Sequence, residues 1–305
     1  MNTGLQLGLA LLLGALAAVT WVIIDWGAWT LVLPGRRQSG PKSTSTQTET
    51  KLTGFQRLTV QADQNTVLVG DVRIDPLSAG RTVLLLHGFG EDRSALFPRA
   101  QRLAEAHWNV VLMDSRGRGE SGGQHCTFGT KEAEDIGTVV RDLQPQVGPA
   151  ATFCLWGRSM GAAIALAVAQ ANPDPSIRTL VLEAPYTTLR SSVAAVLKRR
   201  HIPGFLARPM LARASRLTGV QIGQPSPLEL AAHCHVPVLI LAGSADPIAP
   251  AAEIERLAQA FPTRPRIISV PGANHQDIWD QGGPNLTAEI LAFLTQATQE
   301  PGGKA

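Results

Sequence analysis

From Phe55 to about Thr295 the chain alternates short apolar runs with longer amphipathic stretches. Phe55–Val60 and Val67–Ile74 read as strands, the second stopped by Asp75-Pro76. Arg81–Leu86 (RTVLLL) is a short, nearly continuous apolar run, the pattern of a strand buried on both faces. A helical pattern from about Ser94 to His107 follows, then a strand at Asn109–Met113, a helix at Lys131–Leu143, a strand at Thr152–Trp156 and a helix at Met160–Ala171. Strands at Thr179–Leu182, Val236–Leu241 and Arg266–Val270, with helices at about Ala251–Phe261 and Pro284–Thr295, complete the series. This alternation predicts an α/β domain over residues 55–298, a mostly parallel central sheet with helices on both faces.

Two regions break the rhythm. Between Tyr186 and His235 the strands lapse into two helical patterns, Leu189–Arg200 and Phe205–Leu217, separated by Pro203-Gly204. We read 186–235 as a small helical cap inserted over one end of the sheet. It is basic, with no Asp or Glu between Glu183 and Glu229. A solvated helical face explains that composition, and so does attraction to anionic lipid or an acidic substrate.

The other region is the beginning. Leu5 to Ile24 carries no charge, and a helix of that length spans about 30 Å, the thickness of bilayer hydrocarbon. Trp21, Trp26 and Trp29 gather where an aromatic belt would lie. No Lys or Arg precedes the run and apolar sequence continues past Ala15-Leu16-Ala17, which favours an uncleaved transmembrane helix over residues 1–34 above a cleaved signal peptide. Arg36, Arg37 and Lys42 follow it, so the positive-inside rule places the downstream domain in the cytoplasm. Residues 35–54, rich in Ser, Thr and Gln, have too little apolar surface to repay ordering and read as a flexible linker, and 299–305 as a tail.

Composition narrows the function. With 27 basic and 24 acidic residues the net charge is +3, too small an excess to argue for nucleic acid. The three cysteines make no disulfide framework, and neither they nor His233-Cys234-His235 have metal-ligand spacing, so no metal is expected.

The chemistry falls at strand ends. Gly157-Arg158-Ser159-Met160-Gly161 lies between the strand TFCLW and the Ala-rich helix MGAAIALAVA, the setting of a G-x-S-x-G nucleophile elbow. A sharp strand-to-helix turn exposes the Ser159 hydroxyl, and the flanking glycines let neighbouring segments approach. A serine hydroxyl needs a base. Of seven histidines, His275 follows the strand RIISV and the turn Pro271-Gly272-Ala273 and suits that role. Asp246, just past the strand VLILA, suits the acid that orients it; Glu183 and Asp277 are rivals. The chain order Ser, Asp, His is that of α/β-hydrolases. His87-Gly88-Phe89-Gly90 follows RTVLLL, and the expected oxyanion-hole donors are the backbone N–H groups of Phe89 and Met160, with Phe89 and His87 as candidate substrate contacts. Asp114, in DSRGRGES, is expected to bond loop backbone rather than do chemistry.

Taken together, HGFG, DSRGRGES, GRSMG, GSADP and GANHQD resemble the α/β-hydrolase-fold serine hydrolases. CTFGTKEAEDI, LVLEAPYTTL and SPLELAAHCHVPVLILAGSADPIAP are similar to the Bem46-like branch, which borders the prolyl-oligopeptidase-like and dienelactone-hydrolase groups and includes membrane-anchored members. One departure is Ala184, where that string would carry a serine. The resemblance implies a Ser159–His275–Asp246 triad, acyl transfer through a covalent intermediate, and no cofactor. The substrate expected is a small-molecule or lipid ester. An acyltransferase, a thioesterase, a serine peptidase and a non-catalytic binding protein are the competing readings on this fold.

Overall fold

The structure, a computed structural model, describes residues 3–36, 52–171 and 174–299. Eight strands form one sheet: β1 (Gln56–Asp63), β2 (Thr66–Arg73), β3 (Arg81–Leu86), β4 (Asn109–Met113), β5 (Thr152–Arg158), β6 (Ile177–Glu183), β7 (Val238–Gly243) and β8 (Arg266–Val270). Their spatial order is β8-β7-β6-β5-β3-β4-β2-β1, parallel throughout except where β2 runs against β1 and β4. The continuous apolar runs occupy the middle of this order because both sheet faces are covered there. Val83, Leu84, Leu85 and Leu86 are fully buried, as are Val110, Val111 and Leu112. The chain moves outward in one direction from β3 to β4, then returns to the other side of β3 as β5. Loops after β3 and β5 therefore diverge at a topological switch point, the usual place for a ligand in an open α/β sheet.

Nine α-helices are described: α1 (Thr3–Val32), α2 (Phe97–Glu105), α3 (Glu132–Val147), α4 (Met160–Ala171), α5 (Leu189–Arg199), α6 (Ala207–Thr218), α7 (Pro227–Ala231), α8 (Ala251–Ala260) and α9 (Ile278–Gln299), the last kinked at Gly283. Residues 186–235, expected to form a cap, hold α5, α6 and α7. Sequence reading left out α7, although a capping box announces it. Ser226 Oγ accepts from the Glu229 N–H, and the Glu229 carboxylate reaches back to the Ser226 N–H at 2.8 Å.

Helix α1 is long and apolar enough to cross a membrane. It divides into two parts. The large apolar side chains from Leu7 to Val22 are exposed. From Ile23 onward the helix is docked: Ala28 and Val32 are fully buried in the same core as the cap, and Asp25 pairs with Arg213 of α6 at 2.7 Å. Gly27 passes so close to Met210 that a Cβ there would lie 2.5 Å from its methyl group. The helix end then meets the loop after β4. The Cys126 N–H donates to the Val32 carbonyl at 3.2 Å, and Arg118 donates to the Leu31 carbonyl at 3.3 Å. Gly35 and Arg36 pair in parallel with Arg118 and Gly119, so the expected linker begins with an ordered pairing; residues 37–51 of it, and all of the expected tail but Gln299, lie outside the described residues.

Candidate active site

β5 lies between β3 and β6, and its end carries Ser159 in the left-handed region at φ 50°. A non-glycine residue there is strained, and surrounding bonds must hold it. The Ser159 N–H donates to the Glu183 carbonyl at 2.8 Å, and its own carbonyl receives the N–H groups of Ala162 and Ala163 as α4 begins. The two flanking glycines are a steric necessity. A Cβ on Gly157 would lie 2.0 Å from the Gly161 carbonyl oxygen, and one on Gly161 would lie 2.2 Å from that of Leu86.

The structure brings His275 and Asp246 to this serine. His275 Nε2 lies 2.9 Å from Ser159 Oγ, and His275 Nδ1 lies 2.7 Å from Asp246 Oδ2. The second oxygen of Asp246 receives the N–H groups of Ile248 at 2.7 Å and Ala249 at 3.0 Å. Burial tends to raise the Asp246 pKa, but the His275 bond and charge and the two N–H donors outweigh it and hold the carboxyl below its ordinary value. An ionised Asp246 fixes the Nδ1–H tautomer, which leaves the Nε2 lone pair facing the serine hydroxyl. The histidine loop is braced by Asp277, whose carboxylate receives the Asn274 N–H at 2.7 Å. Asp277 thus supports the backbone beside His275.

Neither the Phe89 nor the Met160 backbone N–H donates to a protein group among the described residues. Met160 opens α4, where the first N–H groups have no partner inside the helix and the helix dipole favours developing negative charge. The Phe89 ring, 41% exposed, stacks on Phe128 at 5.2 Å and lies under the Arg118 guanidinium at 4.6 Å.

His87 is placed differently from the expected substrate contact. Its imidazole is fully buried and both nitrogens are used by backbone: Nδ1–H donates to the Gly88 carbonyl at 2.8 Å and Nε2 accepts from the Ser115 N–H at 3.0 Å. Burial pushes its pKa below the ordinary 6.5. The side chain ties the loop after β3 to the loop after β4, and the strand-end position that suggested a ligand contact reflects this structural stitch. Glu183 is likewise committed. Arg99 grips both its oxygens at 2.9 and 2.5 Å and the Trp156 indole donates to it at 3.2 Å; burial works to raise its pKa, but the Arg99 charge and hydrogen bonds, the Arg158 charge and the indole bond together hold it below the ordinary value. Asp114 receives the backbone N–H groups of Arg93 and Glu120 and pairs with the Arg93 guanidinium, the loop-bracing role its position suggested. Sequence reading passed over Arg118, Cys126 and Phe128, which adjoin Phe89 and Met160 through side-chain contacts. Only the loop's place after β4 hinted at them.

Residues 78–222 match the family described as serine aminopeptidase, S33, and residues 220–305 match the TAP-like protein family. An uncharacterized protein of Mycobacterium tuberculosis, MT2364, is 32% identical over 218 residues, 72% of this chain and 71% of its own. YfhR of Escherichia coli O157:H7 is 27% identical over 221 residues, 71% of this chain and 70% of its own. Among solved structures, the esterase Pf2001 of Pyrococcus furiosus aligns with a TM-score of 0.65 at 22% identity, covering 79% of this chain and 92% of that one. An esterase from Thermogutta terrifontis aligns with a TM-score of 0.60 at 23% identity, covering 80% and 100%. The chain belongs to the α/β-hydrolases.

Proposed function

We propose that this α/β-hydrolase is a membrane-anchored serine hydrolase that cleaves ester-type bonds through an acyl-enzyme. The observation that carries this reading is the continuous hydrogen-bonded line Ser159 Oγ, His275 Nε2, His275 Nδ1, Asp246 Oδ2, with spans of 2.9 and 2.7 Å. In the first step Ser159 Oγ attacks the carbonyl carbon while His275 takes the hydroxyl proton. Charge on the carbonyl oxygen is met by the Phe89 and Met160 N–H groups. The C–O bond to the alcohol then breaks, and the His275 proton passes to the leaving oxygen. Water, activated by the same imidazole, cleaves the acyl-serine and restores the hydroxyl. Asp246 keeps its negative charge throughout and stabilises the imidazolium.

An ester substrate is supported by the solved neighbours, esterases from Pyrococcus furiosus and Thermogutta terrifontis. The serine aminopeptidase description of the family favours a second reading, amide cleavage through the same acyl step. Matched 4-nitrophenyl esters and amino-acid 4-nitroanilides separate the two. Anchoring is supported by the exposed apolar segment of α1, and the basic residues Arg36, Arg37 and Lys42 after it favour a cytoplasmic domain.

The test is kinetic. Ser159→Ala and His275→Gln should each lower kcat on a 4-nitrophenyl ester by about 10⁴- to 10⁶-fold with thermal unfolding little changed. Retained turnover in the alanine variant would refute the assignment.

A further inference from the structure

Five arginine side chains that reach the catalytic end of the domain are buried, and four of them are matched by carboxylates. Arg93 holds Asp71, Asp114 and Glu120; Arg99 holds Glu183; Arg116 holds Asp135; Arg158 holds Glu91. Arg118 is the exception. It is 5% exposed, yet no carboxylate pairs with it among the described residues. Its Nε is buried without a partner, one terminal nitrogen makes a 3.3 Å bond to the Leu31 carbonyl, and the guanidinium plane covers the Phe89 ring. The nearby buried carboxylates are occupied. Glu132 receives the Thr127 N–H, the Thr127 hydroxyl and the Gly129 N–H at 2.7, 2.6 and 2.8 Å. The carbonyl at the end of α1 and the ring face each offset part of the charge, but neither supplies a full negative charge. A buried cation left this way is costly unless an anion completes it. The Tyr186 hydroxyl is likewise buried without a partner.

We propose that Arg118 is the receptor for an oxyanion carried by the substrate, so that this site prefers esters bearing a carboxylate or phosphate near the scissile bond. The inference rests on the serine-hydrolase reading above and deepens it. Phe89 links the two: its N–H faces the attacked carbonyl in that reading, and its ring carries the Arg118 guanidinium. The substrate anion would lie one side chain from the reacting carbon, where two N–H···O bonds to a planar guanidinium fix its orientation.

The test uses the full chain in detergent micelles and two substrate pairs. 4-Nitrophenyl hydrogen glutarate is compared with 4-nitrophenyl valerate, and 1-oleoylglycerol-3-phosphate with 1-oleoylglycerol. The wild type should prefer the anionic member of at least one pair by about tenfold or more in kcat/KM, and which pair responds identifies carboxylate or phosphate. Arg118→Gln should abolish the preference, and Arg118→Lys should keep part of it. Absence of preference in both pairs, or a preference that survives Arg118→Gln, overturns the proposal. Should Arg118→Gln fail to fold, inhibition of the wild type on its neutral esters decides. Glutarate or glycerol phosphate should compete and uncharged glutaramide should not; equal inhibition, or none, is the contrary result. Labelling of Ser159 by a fluorophosphonate is read alongside. If it persists while the preference is absent, the anion site fails and the serine-hydrolase reading stands.

Discussion

At the residue scale, the turn that holds Ser159 has no room for a side chain at Gly157 or Gly161, and that steric demand sets the G-x-S-x-G spacing. Gly161→Ala places a methyl group against the Leu86 carbonyl, 2.2 Å from the ideal Cβ position. Neither partner is a flexible side-chain end, so the elbow must shift. We expect about 1–3 kcal/mol of destabilisation and a loss of kcat larger than that loss of stability explains, measured by urea unfolding and ester turnover. His87 was misread because a strand-end imidazole looks the same in sequence whether it touches ligand or backbone. Its burial yields a prediction with a definite sign. Below its ordinary value of 6.5 the unfolded chain protonates this imidazole, whereas the folded chain, with a lower pKa, does not. The unfolded state then binds more protons, so stability falls as pH drops from 6.5 towards the folded pKa, by at most about 1.4 kcal/mol per pH unit. Comparing unfolding free energies of wild type and His87→Gln across that window isolates the contribution. Equal slopes would show that His87 is not held neutral by burial.

At the element scale, the strand–helix alternation was readable almost throughout, since strands buried on both faces must be apolar runs. The division of α1 was not. Hydropathy rates Leu11 and Val32 alike, although one is exposed and the other fully buried against the cap. A membrane and a protein core demand the same residue type, so only tertiary structure separates them. The consequence is testable by truncation. Removing residues 1–22 deletes the exposed part and keeps the segment from Ile23 that packs on α6. That variant should leave the membrane fraction, stay monodisperse and keep most ester turnover. Removing residues 1–34 uncovers the core around Met210 and deprives Cys126 N–H of its Val32 acceptor. It should aggregate or melt several degrees lower, read by size-exclusion chromatography and thermal unfolding. Equal behaviour of the two truncations would mean that the docked segment contributes nothing.

At the scale of the whole molecule, three segments far apart in the chain meet at one edge of the sheet. Ser159 follows β5, Asp246 follows β7 and His275 follows β8, and the parallel direction of those strands delivers all three to the same side. The order Ser, Asp, His made this convergence legible in outline, because each residue follows an apolar run. What lay beyond reach was the side-chain surroundings: the docked helix, the loop after β4 and the cation over Phe89 depend on contacts that no local pattern records. The same convergence sets Ser159 apart among the described serines, since its hydroxyl lies against the His275 imidazole. The most direct measurement is therefore to treat the full chain with a fluorophosphonate at neutral pH and map the adduct by peptide mass spectrometry. A single adduct on Ser159 is predicted, greatly slowed in His275→Gln and undiminished after mutation of any other serine outside the loops that build the site. No adduct at Ser159, or an adduct formed as fast without the imidazole, would contradict the account.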